Sequence, residues 1–388
     1  MRGKAVNETF DTIVVGLGAM GSAAAYHLTK RGQNVLGIDM FRPGHDQGSS
    51  HGYHRMIRKS SFQVDGYVPL AERAFALWHE LEEESGQTLL HIIGEVWLLY
   101  ENGKTGNRAG VERSIARGFR VVLSEQDLAG RFPGCRLHEG MIALYEAGAG
   151  YLQCETGIIT HVARARRHGA TIHLEEEVTG WEADGAGVRV DTSQGSYDAD
   201  RLVITTGPWA AELLADLHFP LQVQRTVNAY FQPERPEWWS VERGAPDFLL
   251  DVPEGSFYGM PAVAGVGVKI GRSGGAETTA RTIRRTIDDA EIDMLRNTLD
   301  RYLPGASGPE LRRITCICTY TPDRDFIIDR HPSYPQVLFG CGFSGRGYKF
   351  APVVGEILAD LAGDGKSRHE IEFLAAERFV GDGVQVMA

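Results

Sequence analysis

The chain has 388 residues, with 40 Lys+Arg against 51 Asp+Glu for a net charge of −11, and 47 dispersed glycines. That length holds two domains or one large one. A net acidic chain without a Lys/Arg-rich run argues against nucleic acid or anionic membrane as the main partner, while an anionic small ligand stays open if local cations gather for it.

Residues 12–16 form a short apolar β-branched run, residues 19–31 read as a helix stopped by Gly32, and residues 35–38 form a second buried strand ending at Asp39. Apolar residues at three- and four-residue steps over 68–81 give an amphipathic helix. Alternating strands follow at 95–100 and 120–123, then a helix over 156–167 and strand pieces at 172–174 and 188–191. Residues 201–207 form another buried strand ending in a small-residue turn at Gly207. The stretch 221–275 is strand-rich, and a helix over 289–302 starts at Asp288 with Glu291 completing a capping box. Residues 337–340 are a strand feeding a glycine-rich turn, and 352–361 a helix stopped by Gly363.

Buried α/β texture thus comes in three separated blocks with antiparallel-looking texture in two inserts. The expected architecture is α/β plus α+β in two discontinuous domains: residues 1–90, 151–220 and 318–388 against residues 91–150 and 221–317. The five cysteines are odd in number, and only Cys316 and Cys318 are close, which fits neither a disulfide framework nor a zinc ribbon. The segment MRGKAVNETFD has no apolar leader, no stretch approaches 18 apolar residues and GVQVMA carries no address signal, so a reduced, cytoplasmic protein is expected.

Gly16-Leu17-Gly18-Ala19-Met20-Gly21 reads G-x-G-x-x-G between the first strand and the first helix. Gly16, Gly18 and Gly21 allow the tight turn, backbone approach to a pyrophosphate and close strand–helix packing, with helix N–H groups facing the phosphates. Asp39 lies where a carboxylate accepts from ribose hydroxyls and would repel the 2′-phosphate of NADP. The loop alone does not separate FAD from NAD.

The polar loop from His45 to Arg58 includes Ser49, Ser50 and His51, read as packing against the cofactor, and Arg55 and Arg58, whose spacing suits one helical face. Its histidines lack a companion carboxylate at ligand spacing, so no metal is expected.

Gly48-Ser-Ser-His-Gly52 with Arg55-x-x-Arg58, joined to the fingerprint, resembles the FAD-dependent monomeric sarcosine oxidase family, which includes the N-methyltryptophan and pipecolate oxidases. Cys316-Ile-Cys-Thr-Tyr-Thr-Pro-Asp323 and Gly342-Phe-Ser-Gly-Arg-Gly-Tyr-Lys-Phe350 extend the resemblance over nearly the whole chain. It implies a Rossmann-type FAD domain with a mixed or antiparallel substrate domain, like that of D-amino-acid oxidase.

By that resemblance Cys316 forms a thioether to the flavin, although strand alternation puts Cys316 and Cys318 on one face and does not choose between them. The turn containing Gly345 and Gly347 aims N–H dipoles at the flavin pyrimidine. Lys349 and Arg58 take the substrate carboxylate, Arg55 lies against the flavin and tunes its charge, and Tyr258 matches a pocket tyrosine. Lys269, on a strand face between Gly267 and Gly271, would be the oxygen-activating lysine beneath something flat. Ser273 replaces a histidine of the sarcosine-specific members and Cys318 falls where the family commonly has tyrosine, so sarcosine itself is not expected as substrate. The whole implies a monomeric oxidase that takes a secondary amino acid, N-methylated or cyclic, and O2, and releases H2O2.

Overall fold

The computed structural model describes residues 9–60, 64–100, 108–263 and 265–379. The readings made on the first eight residues and on GVQVMA lie outside these.

The N-terminal run becomes a strand, Thr9–Val15, flanked in parallel by Val35–Asp39 and Ser196–Ile204. Thr171–Leu174 and Val337–Cys341 extend the parallel part on either side. Val178–Asp184, Gly187–Thr192 and Ile327–Arg330 pair antiparallel and complete an eight-stranded sheet. The apolar, β-branched makeup of the central strands follows from burial on both faces. Helix Ala19–Lys30 covers one face, packed between Cys154–Arg167 and Ala351–Gly363. A Cβ on Gly355 would meet the Ala23 backbone at 2.5 Å. These two helices touch almost backbone to backbone, which explains the alanine run at 23–25.

A second eight-stranded sheet runs in the order Glu310–Tyr320, Gln222–Phe231, Gly267–Arg272, Gly255–Val263, Asp247–Val252, Glu95–Tyr100, Met141–Glu146, Val121–Leu123. All its neighbours are antiparallel except Asp247–Val252 with Glu95–Tyr100, so the sheet is mixed. Helix Asp289–Tyr302 carries the capping box of Asp288 and Glu291 and buries Ile292, Leu295 and Leu299 in the same core as Val268 and Ile270. The strand Glu310–Tyr320 belongs to this sheet along its whole length, so a boundary between residues 317 and 318 falls inside one strand. A three-stranded sheet of His54–Ile57, Gly150–Gln153 and Leu90–Ile92 connects the two.

Arg55 therefore sits on a strand, with Arg58 just beyond it. The helical face expected for this pair is not formed, because residues 54–57 pair with 150–153 along four positions. Among the described residues no helix is long and apolar enough to cross a membrane.

Candidate active site

One cavity of about 870 Å³ runs from the carboxyl ends of the first sheet's parallel strands to the inner face of the second sheet. This is where ligands of open α/β sheets bind, and the volume is large enough for a dinucleotide.

At its first end the fingerprint turns over the strand Thr9–Val15. Gly16 has φ +86°, and a Cβ there would meet the Thr205 carbonyl oxygen at 2.8 Å. On Gly21 a Cβ would lie 1.8 Å from the Gly16 carbonyl oxygen. Gly21 thus serves strand–helix packing and does not line the cavity, whereas Gly16, Gly18 and Gly207 do. Asp39 Oδ2 accepts from the Leu17 N–H at 2.6 Å, and Oδ1 from the Phe41 N–H at 2.8 Å. Burial nevertheless pushes its carboxyl up to about 6, since two N–H bonds do not replace lost hydration. A ribose hydroxyl pair donating to this carboxylate would complete it. Arg281 lines the same end, held by Glu177 at 2.9 Å and Glu212 at 2.8 Å.

In the middle of the cavity lie Ser49, Ser50, Arg55 and Cys316. Arg55 Nη2 donates to the Ser49 carbonyl at 2.8 Å and approaches Cys316 Sγ at 3.3 Å. Burial alone raises a thiol; at Cys316 the charge of Arg55, aided by His51 and Lys269, outweighs it and brings the thiol down. Cys318, on the same face two residues on, is pushed up by burial and by Cys316. The thiolate is the nucleophile, so the electrostatics distinguish two cysteines that strand alternation does not. All five cysteines are free thiols. His51 is buried beside Cys316 and does not line the cavity. Among the described residues no group of three or more His, Cys, Asp or Glu is arranged to hold a metal.

At the far end Tyr258, Arg58, Lys349, Gly345 and Gly347 line the wall, together with Trp97, Ser273 and Cys318. The Tyr258 hydroxyl donates to Asn228 Oδ1 at 2.9 Å. That bond passes over Gly271, where a Cβ would lie 2.4 Å from the same oxygen. The side chain above Gly271 accounts for that glycine, which the sequence attributes to a flat ligand. Arg58 Nη1 is 2.8 Å from Glu95 Oε2. Glu95 also takes Arg120 Nη2, and Arg120 Nε reaches Glu146 Oε2 at 3.3 Å while its guanidinium stacks 4.9 Å from the Trp97 ring. Glu146 Oε1 in turn accepts from the Lys59 N–H at 3.0 Å. A buried chain of four charges therefore fixes both Arg58 and the backbone after it. Burial, with Arg58 and Arg346 nearby, drives Lys349 well below the usual lysine range.

Lys269 departs from its expected position at the cavity. It is fully buried, and its ammonium donates to the carbonyl oxygens of Gly52 at 3.1 Å and His54 at 3.0 Å, one layer behind the cavity wall. Burial, then the charge of Arg55, lowers it to about 7. Glu95 and Arg120 are the functional neighbours that sequence reading missed. Their signal is a charged residue opening an otherwise apolar strand, at Glu95 before Val96-Trp97-Leu98-Leu99 and at Arg120 before Val121.

The model of the FAD-dependent oxidoreductase family matches residues 11–361. The monomeric sarcosine oxidase of Streptomyces avermitilis is 39% identical over 373 residues, covering 94% of this chain and 97% of that protein. The N-methyl-L-tryptophan oxidase of Escherichia coli O139:H28 is 34% identical over 381 residues, 95% and 99% of the two chains. Among solved structures, the L-proline dehydrogenase of P. horikoshii superimposes with a TM-score of 0.84 at 23% identity, covering 96% of this chain and 98% of that one, a likeness of fold.

Proposed function

The chain belongs to the FAD-dependent oxidoreductase family, in the sarcosine and N-methyltryptophan oxidase branch, and from that premise we propose that it is an oxidase of a secondary amino acid other than sarcosine, producing H2O2. The observation that carries this reading is one cavity holding the dinucleotide fingerprint, the Arg55–Cys316 pair and the Arg58–Lys349 cations in that order. FAD, when bound, would supply the acceptor for the hydride from the carbon next to the amine nitrogen and the reduced flavin that O2 reoxidises, giving H2O2.

The protein's part is binding, orientation and charge. Gly16, Gly18 and Asp39 hold the dinucleotide, with Gly21 keeping the turn closed and Gly207 opening the wall opposite. Ser49, Ser50, Gly345 and Gly347 pack around the ring system, with His51 behind the wall beside Cys316. Arg58, held by Glu95, and Lys349 take the substrate carboxylate. An arriving carboxylate supplies a counter-charge that opposes the burial and the neighbouring cations lowering Lys349, and Tyr258 orients the amine end. The product imine leaves to water and hydrolyses. In this reading residues 1–90 and 151–220 and the chain after Tyr320 serve the flavin, and residues 91–150 and 221–320 the substrate. A cytoplasmic monomer belongs to the same reading, supported by the five free thiols and the word monomeric in the name of the 39% relative.

Covalent attachment through Cys316 is supported by the Arg55 contact. Flavin should stay with acid-denatured wild-type chain and be released from Cys316→Ala; release from Cys318→Ala alone would contradict the assignment. The reading as a whole is tested by peroxide release across N-methyl and cyclic amino acids, sarcosine included: sarcosine should be a poor substrate, and no peroxide from any of them contradicts it.

One observation favours a second reading, an FAD-dependent amino-acid dehydrogenase with another electron acceptor: the Lys269 ammonium is engaged by two carbonyls behind the wall. In the oxidase reading its charge still lies close enough to favour electron transfer to O2, and Lys269→Met slows reoxidation of the reduced flavin on the order of 100-fold. Unchanged reoxidation sides with the dehydrogenase.

A further inference from the structure

The substrate end of the cavity carries more positive charge than one amino-acid carboxylate uses. Arg58, Lys349, Arg346, Arg324 and Arg272 line it, and Asp251 is the one acid among the described lining residues of that end. Asp251 is occupied by the hydroxyl of Ser256. Arg58 and Lys349 meet the needs of a single carboxylate, which leaves three arginines over.

These three line the same cavity from separate segments of the chain. Arg346, Arg58 and Lys349 also share a neighbouring chamber of about 10 Å³, the size of one water molecule. Arg346 donates to the carbonyl oxygen of Arg324, and its own charge is only loosely answered by Asp325 at 3.6 Å. The Arg324 guanidinium stacks 4.4 Å from the Tyr320 ring, and Gly345 lies against the Tyr320 hydroxyl, 3.3 Å from where its Cβ would be. Arg272 folds over the turn at Gly255 and, among the described residues, donates to Met294 Sδ at 3.9 Å. Among the described residues neither Arg272 nor Arg324 has a carboxylate within 4.0 Å. On a chain of net charge −11, a mouth where, among the described residues, Arg58 is paired with Glu95 while Arg272 and Arg324 have no carboxylate partner is a recognition feature. Guanidinium groups suit carboxylates through paired N–H donors.

We propose that the substrate is a secondary amino acid bearing a second anionic group, of the N-alkyl aminodicarboxylate class, with its side-chain carboxylate taken by Arg324, Arg346 and Arg272. This rests on the oxidase reading above, which places the first carboxylate on Arg58 and Lys349. Ser273 and Cys318, small where larger side chains are expected, leave room for a side chain to reach these arginines.

The test compares near-isosteres that differ in charge. Flavin reduction by N-methylaspartate and N-methylglutamate is measured against N-methylasparagine and N-methylglutamine, with pipecolate and N-methylalanine as neutral references. The expected result is a kcat/KM at least tenfold higher for each acid than for its amide. That ratio falls toward one in Arg324→Gln and in Arg272→Gln, and falls with added salt. Binding without turnover gives a second readout: glutarate should raise the melting temperature of the flavin-loaded protein more than butyrate does. Equal or better use of the amides, or equal shifts by the two analogues, overturns the inference while peroxide from the neutral references leaves the oxidase reading standing. Failure of all six to reduce the flavin overturns both.

Discussion

At the fingerprint end of the cavity Arg281 is closed off by Glu177 and Glu212, and an anion would meet backbone N–H groups at a helix start. At the opposite end side-chain cations face the cavity, with Arg58 tied to Glu95 and Arg272 and Arg324 lacking any carboxylate within 4.0 Å among the described residues. The two ends represent two ways of receiving negative charge. Backbone dipoles at a helix start need a local sequence and glycines. Cations gathered from residues 58, 272, 324, 346 and 349 need the whole fold to bring them together.

Breaking the fingerprint end should have the largest effect. In Gly21→Val the new side chain collides with the Gly16 carbonyl, so the turn cannot close and the purified protein should carry little or no flavin by its visible absorbance. Full flavin content would remove the turn from the account.

Next in size is the support of the cationic end. Arg120→Met leaves Glu95 and Glu146 without their shared buried guanidinium. Breaking such a pair costs roughly 3–5 kcal/mol, visible as a lower denaturant midpoint. Because Arg58 loses its fixed partner geometry, KM for the amino acid should rise more than kcat falls, with part of both recovered in Arg120→Lys. An unchanged KM would confine Arg120 to stability.

The smallest effect sharpens the fingerprint end. The folded-state pKa of Asp39 is raised to about 6 from 3.8 by burial. The folded chain therefore binds a proton more readily than the unfolded chain between those values, and stability falls as pH rises through that window. In flavin-free protein, Asp39→Asn should flatten this part of the melting-temperature profile between pH 4 and 6 and weaken FAD binding. The same slope in both proteins would contradict the assignment.

Much of the first end is legible in the sequence because each of its devices is local. The strand before Gly16, the glycine turn and Asp39 lie within thirty residues, and the helix over 289–302 announces itself through its capping box. The second end is legible only where a motif names its residues, as at Arg58 and Lys349. Spacing misleads at Arg55 and Arg58, because pairing with residues 150–153 overrides the helical reading of a three-residue step. Lys269 shares a strand face with Gly271, as alternation requires, yet the backbone of Gly52–His54 lies over it. That long-range contact leaves no trace in the local pattern. Glu95 and Arg120 are invisible as a pair, since only the sheet order places strands 95–100 and 121–123 on either side of 141–146.

The most direct measurement is anaerobic mixing of the flavin-loaded protein with a secondary amino acid, followed by admission of air, in the wild type and in a double variant, Arg58→Met with Lys349→Met. The account predicts that the wild-type flavin is bleached and then recovers with one H2O2 formed per substrate consumed, while the double variant keeps its yellow flavin and is not bleached at the same concentration. Equal bleaching of the two proteins would contradict it.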